Sequence, residues 1–286
     1  MITGATSGIG KAAAFALARK PWELILIGRN KEKLIKTSSA IKRETGNERV
    51  GYYVCDLSLL REVRNTAERL KNDHARLDVM INNAGGKFLR HQTTEEGIEL
   101  TLATNHLGHF LLTLSLLDLM KRSGDARIIN VSSGAHYSGG GVIRNITAFR
   151  DYDGRAQYAD SKLANVLFTY ALARKLAHQG VTANAVDPGG VATNFTRNNG
   201  IRYWIKHIMY YAMKGHLLTP KQGAKTVVFL ASAPDMYGIT GKYFFDLQER
   251  TSSAISYDEG LQAEMWEASA RLCGIALPPT EALLPK

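Results

Sequence analysis

The sequence predicts an α/β fold in one domain, in which helices cover a doubly wound parallel sheet. Short apolar runs of strand length alternate with longer segments whose apolar residues recur at helical spacing. A glycine-rich turn near the amino terminus also opens directly into the first helical segment. Strands that are separated by helices run parallel, because each helical crossover returns the chain to the same edge of the sheet.

The predicted elements follow from these two periodicities. The strands are rich in Val, Ile, Leu or aromatic residues and are predicted at 24–28, 50–55, 77–82, 127–132, 182–186 and 241–245. The helices carry an apolar residue every three or four positions and are predicted at 10–19, 31–45, 59–72, 98–121, 157–178 and 221–231. We find no internal repeat and no linker, so one domain should cover residues 1–286.

The first strand of this predicted sheet is nearly absent, since only Met1 and Ile2 precede the glycine-rich turn. In the expected order this strand is central and pairs with a neighbour on each side. Losing about six buried apolar residues would cost about 9 to 18 kcal/mol, compared with typical stabilities of about 5 to 15 kcal/mol. We therefore expect a truncated first strand and a fold of doubtful stability, and we leave open an N-terminal anchor ahead of Met1.

Composition is that of a soluble globular protein, with 45% hydrophobic and 22% charged residues. The two cysteines are too few for a disulfide framework and lack metal-site spacing, so we predict no metal and a cytoplasmic location. The net charge of +10 favours polyanions, but the positive residues are scattered and form no nucleic-acid motif, so no nucleic-acid partner is expected. No apolar stretch approaches the roughly 20 residues that span a bilayer, so any membrane contact should be peripheral.

The glycine-rich turn has the spacing GxxxGxG and reads Thr-Gly-Ala-Thr-Ser-Gly-Ile-Gly from Thr3. Such glycines permit a tight turn and close approach of a pyrophosphate, while the helix N-terminus offers unpaired N–H groups to the anion. A phosphate-binding NTPase loop is excluded, because its glycine spacing differs and Ala12 stands where Ser or Thr is needed. The cofactor-binding residues predicted here are Gly4, Thr6, Ser7, Gly8, Ile9 and Gly10.

Arg29 follows the strand at 24–28, where dinucleotide folds that prefer NAD usually carry an acidic residue. The sequence Gly-Arg-Asn at this point has no acid. A guanidinium can meet a 2′-phosphate with charge-assisted hydrogen bonds, so NADP(H) is favoured over NAD. A surface arginine that merely begins the next helix is the alternative.

Polar and small residues follow the next two strands. Asp56 can accept a hydrogen bond from an adenine amino group, and Asn83, Ala84 and Gly85 leave room for the cofactor beside the backbone. Turn chemistry alone would explain either set. Their occurrence at successive strand ends favours a cofactor site.

Tyr158 and Lys162 lie four residues apart on a predicted helix and therefore share one face. An ammonium about 4 Å from a phenol, at an effective dielectric of about 20, favours the phenolate by about 4 kcal/mol, or about three pKa units. We therefore expect Lys162 to lower the pKa of Tyr158 and to make it the proton donor or acceptor at the substrate oxygen. An ordinary surface pair is the alternative.

Three further polar positions complete the candidate site. Ser133 ends the strand at 127–132 and is predicted to donate a hydrogen bond to a substrate carbonyl, with Ser132 as the competing choice. Asn105 lies among apolar neighbours and is predicted to hold a water that relays protons to Lys162. His106 and His109 share a helix face but have no acidic or cysteine partner nearby in sequence, so we interpret both as non-metal histidines.

Taken together and in this order, the motifs resemble the short-chain dehydrogenase/reductase family over nearly the whole chain. The motifs that carry the resemblance are Gly4-x-x-x-Gly8-x-Gly10, Asn82-Asn83-Ala84-Gly85, Asn105, Ser133, Tyr158-x-x-x-Lys162 and Asp187-Pro188-Gly189. Within the family, Gly28-Arg29-Asn30, the run from His106 and the Ser-Lys-Leu-Ala-Asn run from Ser161 resemble the retinol-dehydrogenase-like subgroup.

The resemblance implies a Rossmann-type fold and reversible oxidation of an alcohol to a carbonyl with NADP(H). It implies that Tyr158 is the catalytic acid or base, that Lys162 also holds the nicotinamide ribose, and that Ser133 orients the carbonyl. It also implies that Asn105 completes the proton relay. Further cofactor contacts are implied at Pro188, Gly189, Val191 and Thr193, with Thr193 at the nicotinamide carboxamide.

Residues 190–220 occupy the substrate-lid region of the family. Within them, 201–214 is apolar and aromatic with interspersed cations. We hypothesise that this segment shapes a pocket for a small lipophilic alcohol or carbonyl substrate and rests on a membrane surface. Ordinary core packing or the contact of a homodimer is the alternative.

Two other functions are compatible with a dinucleotide fold. A regulatory or sensor protein would bind NADP without turnover, but it has no need for Ser133, Tyr158 and Lys162 together. An epimerase or dehydratase acting on nucleotide sugars usually has a longer C-terminal substrate domain and a different glycine spacing. The sequence therefore favours an NADP(H)-dependent alcohol dehydrogenase or carbonyl reductase.

Overall fold

The strands of the protein are runs of buried aliphatic and aromatic residues, as the sequence predicts. A computed structural model describes residues 1–140, 152–193 and 195–276. Within these residues, eight strands form one sheet, and every pairing is parallel except the last. The strands are β1 (Ile2–Thr3), β2 (Leu24–Gly28), β3 (Val50–Val54), β4 (Val79–Asn82), β5 (Ala126–Val131), β6 (Val181–Asp187), β7 (Lys242–Phe245) and β8 (Gln248–Arg250).

Several helices begin at a residue whose side chain caps the helix. Asn30 accepts a hydrogen bond from the Lys33 N–H, and Thr219 forms a capping box with Gln222. The helices are α1 (Gly8–Leu17), α2 (Lys31–Thr45), α3 (Leu60–Asp73), α4 (Leu100–Leu102), α5 (Gly108–Lys121), α6 (Gly154–Lys175), α7 (Ile201–Met213), α8 (Pro220–Ser232) and α9 (Glu259–Leu272).

The strand order is β3-β2-β1-β4-β5-β6-β7-β8, and the winding direction reverses between β1 and β4. The predicted doubly wound fold is therefore confirmed, and so is the short first strand. Ile2 is completely buried and pairs with Leu26 on one side and Ile81 on the other. In sheets of this kind, ligands bind beyond the carboxyl ends of the strands at the point of reversal.

Two apolar clusters lie on opposite faces of the sheet. One cluster packs α3, α5, α6 and α9 against the sheet, and its centre contains Phe110, Phe168 and Trp266 with ring centroids 5.1 to 5.7 Å apart. The other packs α1, α2 and α8 around Ile2, Leu26 and other aliphatic residues. Burial on both faces explains why the strands are continuous apolar runs.

The predicted helix at 98–121 is continuous from Leu100 but contains one wide turn. Residues Ala103–Leu107 form a π-helical turn between α4 and α5, and this turn carries Asn105. Such turns are rare and often occur at functional sites. The insertion leaves no mark in the apolar periodicity, so the sequence predicts an unbroken helix there.

The same helical stretch corrects one expectation about membranes. Leu100–Lys121 has 22 residues and a mean hydropathy of 1.2 in its most apolar window, so by length and composition it is able to cross a bilayer. In the structure 72% of that window is buried within the protein, as in the core helix of a sheet-based fold.

Three elements were not predicted as regular structure: β8, α7 and α9. β8 pairs antiparallel with β7 and consists of the exposed polar residues Gln248–Arg250. An exposed edge strand has no apolar face toward the core, so it lacks the alternation by which strands are recognised. For α9 the cause differs, because its buried face includes polar residues such as Gln262 and Ser269 and therefore lacks a continuous apolar pattern.

We expect Gly108→Ala to destabilise the protein by about 1 to 3 kcal/mol, because an added methyl group would collide with the backbone carbonyl of Leu57. Gly51→Ala is the matched control, since open space surrounds the corresponding position. Denaturant unfolding of the two variants measures the difference. Equal stability of both variants would contradict the close packing of α5 against Leu57.

Candidate active site

Helix α6 is attached to the carboxyl end of β5 by hydrogen bonds. The Lys162 ammonium donates to the Val131 carbonyl oxygen at 3.0 Å, and the Ser132 hydroxyl donates to the Lys162 carbonyl oxygen at 2.8 Å. Ser132 is buried, and its hydroxyl proton is used in this hydrogen bond. Ser133 instead lies within hydrogen-bonding reach of Tyr158, so the geometry favours Ser133 over Ser132 as the serine at the reacting oxygen.

The phenol ring of Tyr158 is surrounded by one aromatic ring and two ammonium groups. Phe195 meets it edge-to-face with centroids 5.4 Å apart. The Nζ atoms of Lys87 and Lys162 lie 5.2 and 5.8 Å from the ring centroid. The structure thus brings Ser133, Tyr158 and Lys162 together, as the sequence motifs predict, and adds Lys87.

The pKa of Tyr158 is raised in this structure, whereas the sequence predicts that Lys162 lowers it. Burial raises the pKa of Tyr158 above its usual range; the hydrogen bond with Ser133 opposes this shift, and the charge of Asp187 adds to it. Desolvation of the phenolate, which the sequence argument left out, is the largest cause of this shift. Burial also lowers the pKa of Lys162 to about 8.

Asn105 fixes the loop that follows β4. Its side-chain oxygen accepts from the Gly86 N–H at 2.8 Å, and its amide donates to the Gly86 carbonyl oxygen and the Ser161 hydroxyl, both at 2.9 Å. A Cβ atom at Gly85 would lie 3.1 Å from Asn105 Oδ1 and 3.6 Å from Lys162 Nζ. The observed contacts assign Asn105 a positioning task, and its part in a proton relay stays a prediction.

His109 connects this loop to β1. Burial lowers the pKa of His109 to about 3, so the ring is neutral. Its Nδ1 lies 3.1 Å from the Asn105 carbonyl oxygen, which only accepts, so Nδ1 carries the proton. Nε2 therefore accepts from the Thr3 hydroxyl at 2.9 Å. The Thr3 oxygen in turn accepts from the N–H groups of Asn83 and Ala84.

His106 is also buried, which lowers its pKa to about 4. Its ring nitrogens lie 3.1 Å from Asn165 Oδ1 and 2.8 Å from Ser269 Oγ. Both ring nitrogens thus have protein partners. Over the described ranges, no group of three or more His, Cys, Asp or Glu residues could hold a metal ion.

The glycine-rich turn packs tightly against its surroundings. Gly4 and Gly8 have φ angles of +66° and +53°, which glycine adopts without strain. A Cβ atom at Gly10 would collide with the Asn83 side chain and the Gly4 carbonyl oxygen, and one at Gly8 would lie 2.9 Å from Thr193 Cγ2. The turn, the Asn83 loop and the Thr193 loop therefore meet at one place.

The remaining residues of the predicted cofactor site occur at other strand ends. Arg29 is exposed and follows β2. The end of β2 lies beside the glycine-rich turn, since a Cβ atom at Gly28 would be 3.5 Å from Thr6 Cγ2. Asp56 Oδ1 accepts from the Ser58 N–H and hydroxyl at 3.0 and 2.7 Å. These contacts stabilise a turn, which is the alternative interpretation of Asp56. Its recognition of adenine stays a prediction.

The segment after β6 is held close to the glycine-rich turn. Val191 forms an isolated bridge with Leu218, and the Trp204 indole N–H donates to the Thr193 carbonyl oxygen at 2.8 Å. Asp187 closes β6 and accepts from the Gly189 N–H at 2.9 Å. Pro188, Gly189, Val191 and Thr193 therefore lie on one loop, which meets the glycine-rich turn at Thr193.

Sequence reasoning assigned no role to three residues at this site. Asp187 stands in the quoted Asp-Pro-Gly motif and Thr3 stands at the start of the glycine-rich turn, so both were marked by position. No sequence pattern marks Lys87 as functional, because a single lysine after a turn is usually an exposed surface residue. In the structure these residues supply a carboxylate, a hydroxyl and a half-buried ammonium around the predicted residues.

Comparison with known proteins gives consistent matches. A family model described as short chain dehydrogenase matches residues 1–203. Human retinol dehydrogenase 13 is 38% identical over 285 residues, which cover 97% of this chain and 85% of that protein. Human polyprenol dehydrogenase is 38% identical over 283 residues, which cover 96% and 84%. A solved short chain dehydrogenase from Shigella flexneri, complexed with NADP, has a TM-score of 0.67 at 26% identity and covers 86% of this chain and 95% of its own.

Proposed function

The chain belongs to the short-chain dehydrogenase family, and from this premise we propose that it is an NADP(H)-dependent oxidoreductase that interconverts a lipophilic alcohol and its carbonyl. The observation that carries the proposal is the meeting of Ser133, Tyr158 and Lys162 at the ends of β5 and α6. A sensor that binds NADP without turnover is not favoured, since it has no use for this triad.

The residues around the glycine-rich turn fit a dinucleotide. The Ser7 side chain makes no capping hydrogen bond to the N-terminus of α1, so the first N–H groups of the helix are available to a pyrophosphate. Gly85 is exposed beside Lys162 and leaves room for a ribose and ring. Lys162 and Thr193 are the residues proposed to hold the nicotinamide end, and Arg29 the adenosine 2′-phosphate.

Held by Lys162 and Thr193, a bound NADPH would supply a hydride to the substrate carbon in reduction, and NADP⁺ would take one up in oxidation. Tyr158 donates its proton to the carbonyl oxygen in reduction and accepts it back in oxidation. Ser133 donates a hydrogen bond to the same oxygen and stabilises its developing negative charge. Because burial raises the pKa of Tyr158, the phenol keeps its proton near neutral pH, which favours carbonyl reduction there.

We expect Tyr158→Phe to lower kcat for reduction by about 10²- to 10⁴-fold, because the proton donor is lost. A series of linear aldehydes from butanal to dodecanal with NADPH provides the assay, and kcat/KM should rise with chain length. The exposed Tyr237 offers a matched control, since Tyr237→Phe should retain full activity. Unchanged turnover by Tyr158→Phe would reject the mechanism, and no turnover of any aldehyde by the unaltered protein would reject the substrate class.

Arg29→Ala should raise the dissociation constant of NADPH about tenfold or more and leave that of NADH unchanged, because only NADPH carries the 2′-phosphate. Fluorescence titration of both cofactors measures the difference. Arg19→Ala removes the same charge from an exposed position after the other end of α1, and it should change neither constant. Equal weakening of NADPH and NADH by Arg29→Ala would show that Arg29 does not read the phosphate.

The lid is proposed to lie at residues 190–220, and α7 within it to receive the lipophilic substrate. Trp204 on this helix is tied to the Thr193 loop, and a Cβ atom at Gly190 would collide with the Tyr211 ring. One side of α7 therefore packs against the loop that carries Gly190 and Thr193. The names of the two human relatives refer to retinol and to polyprenol, which are both apolar alcohols.

The outer side of α7 is suited to contact an anionic membrane surface. Its exposed apolar residues Ile201, Ile205, Met209 and Met213 recur every four positions and thus form one stripe. Cations flank this stripe, and residues 188–234 contain no Asp or Glu. An exposed apolar stripe among cations is typical of a helix that lies in a membrane interface. We therefore propose peripheral membrane contact through α7; a cytoplasmic location and a homodimer stay predictions.

We expect the protein to sediment with vesicles that contain phosphatidylserine and to bind less to vesicles of phosphatidylcholine alone. Ile205→Asp should abolish this binding, because it places a carboxylate in the apolar stripe. Ile35→Asp on α2 is the matched control, as the two side chains are 44% and 43% exposed. Absence of binding by the unaltered protein, or equal loss in both variants, would reject α7 as the contact.

A further inference from the structure

The Lys87 ammonium lies beside the phenol that carries the proton in the proposed mechanism. Its Nζ is 5.2 Å from the centroid of the Tyr158 ring, and the side chain is half-buried. Among the residues that the structure describes, no ion pair or hydrogen bond uses this ammonium. No step of the mechanism above uses it either.

The backbone at Lys87 is fixed by the turn that precedes α7. The Lys87 carbonyl oxygen accepts from the side-chain amides of Asn198 and Asn199 at 2.9 and 2.6 Å. The Leu89 N–H donates to Asn199 Oδ1 at 2.9 Å. Residues 87–89 are therefore bonded to the start of the proposed lid.

The other side of this segment packs on the face of α6 that carries Tyr158. A Cβ atom at Gly154 would collide with the carbonyl oxygen of Phe88, so the two backbones are in contact. Gly154 is the first residue of α6 and lies four positions before Tyr158, on the same face. Lys87 is thus held between the lid and the reacting phenol.

No carboxylate neutralises Lys87 by direct contact in the described part of the chain. Asp153 is the acid whose charge acts on Lys87, but its Oδ1 caps α6 by accepting from the N–H groups of Arg155 and Ala156 at 2.7 and 3.4 Å. Burial lowers the pKa of Lys87, and the charge of Arg155 adds to this shift. A bound anion would offset the cost of burying the ammonium, since buried charges are ordinarily paired.

We propose that Lys87 forms a subsite for a carboxylate of the substrate, next to the carbonyl that receives the proton of Tyr158. The substrate is then an oxo acid with an apolar chain. The inference rests on the proposed function, because it adds a substrate class to the same site. The ammonium donates a charge-assisted hydrogen bond to the carboxylate and so orients the carbonyl toward Tyr158. Residues 188–234, which include the proposed lid, contain no acid that would repel this anion.

The test compares 2-oxodecanoate with its methyl ester, which has the same chain and ketone but no charge. Calorimetric titration of each into the protein saturated with NADP⁺ gives the two dissociation constants, and the oxidised cofactor prevents reduction of the ligand. We expect the acid to bind about tenfold or more tightly than the ester, as for hydrogen bonds between charged groups. Lys87→Met should remove this preference by weakening the acid alone, and Lys87→Arg should retain it.

Lys175→Met is the matched control. Lys175 is the last residue of α6, and its Nζ lies 4.9 Å from the centroid of the Trp266 ring. The variant therefore removes the same charge and the same kind of ring contact at the far end of the helix. It should leave the preference for the acid unchanged.

Equal binding of acid and ester by the unaltered protein would overturn the inference. Equal loss of the preference in Lys175→Met would overturn it as well, since the effect would then come from net charge. Weaker NADP⁺ binding by Lys87→Met with the preference retained would assign Lys87 to the cofactor instead. If Lys87→Met does not fold, Lys87→Gln removes the same charge with a polar side chain and should give the same result.

The titration needs no turnover, so its outcome is separate from that of the proposed function. Failure of the unaltered protein to reduce any aldehyde would reject the proposed function. A protein that reduces aldehydes but binds the acid and the ester equally would reject only the carboxylate subsite.

Discussion

The arrangement of the site depends on the hydrogen bonds that attach α6 to the end of β5. Lys162 and Asn165 both donate to the Val131 carbonyl oxygen, and Ser132 donates to the carbonyl oxygen of Lys162. A carbonyl at the end of a buried strand has no further strand partner in that direction, so side chains from the helix satisfy it. The same contacts fix the height of α6 along the sheet, and this height places Tyr158 beside Ser133.

A second network extends this constraint to the nucleotide-binding side. The π-helical turn displaces the backbone so that the Asn105 carbonyl oxygen accepts from both His109 and Asn165. His109 is also hydrogen-bonded to the Thr3 hydroxyl. The oxygen of this hydroxyl accepts from two N–H groups of the loop after β4. The central strand β1 is only two residues long, yet Thr3 connects it to α5 and to this loop. Polar bonds between buried residues thus reinforce a strand that has few backbone partners.

Sequence reasoning was accurate where one physical rule decides the outcome. The spacing of apolar residues predicts the observed bounds of α2 and β2. Motif spacing identifies residues that do meet at one edge of the sheet. It failed where several interactions compete. The four-residue spacing of Tyr158 and Lys162 indicates one helix face, but it does not reveal that Lys162 donates to Val131 or that burial raises the pKa of Tyr158. The π-helical turn depends on contacts between residues far apart in sequence, which no local pattern contains.

The acidity of the site follows from a balance among charges that oppose each other. Burial lowers the pKa of Lys87 and of Lys162, so both ammonium groups hold their protons less firmly than they would in water. Asp187 acts in the opposite sense on Lys162 and also favours the protonated phenol of Tyr158. Any ligand that binds beside Tyr158 and Lys162 removes further water and strengthens each of these interactions. The pH range of the reaction therefore depends on the burial and the charges of the whole site, and the pKa of Tyr158 reflects both.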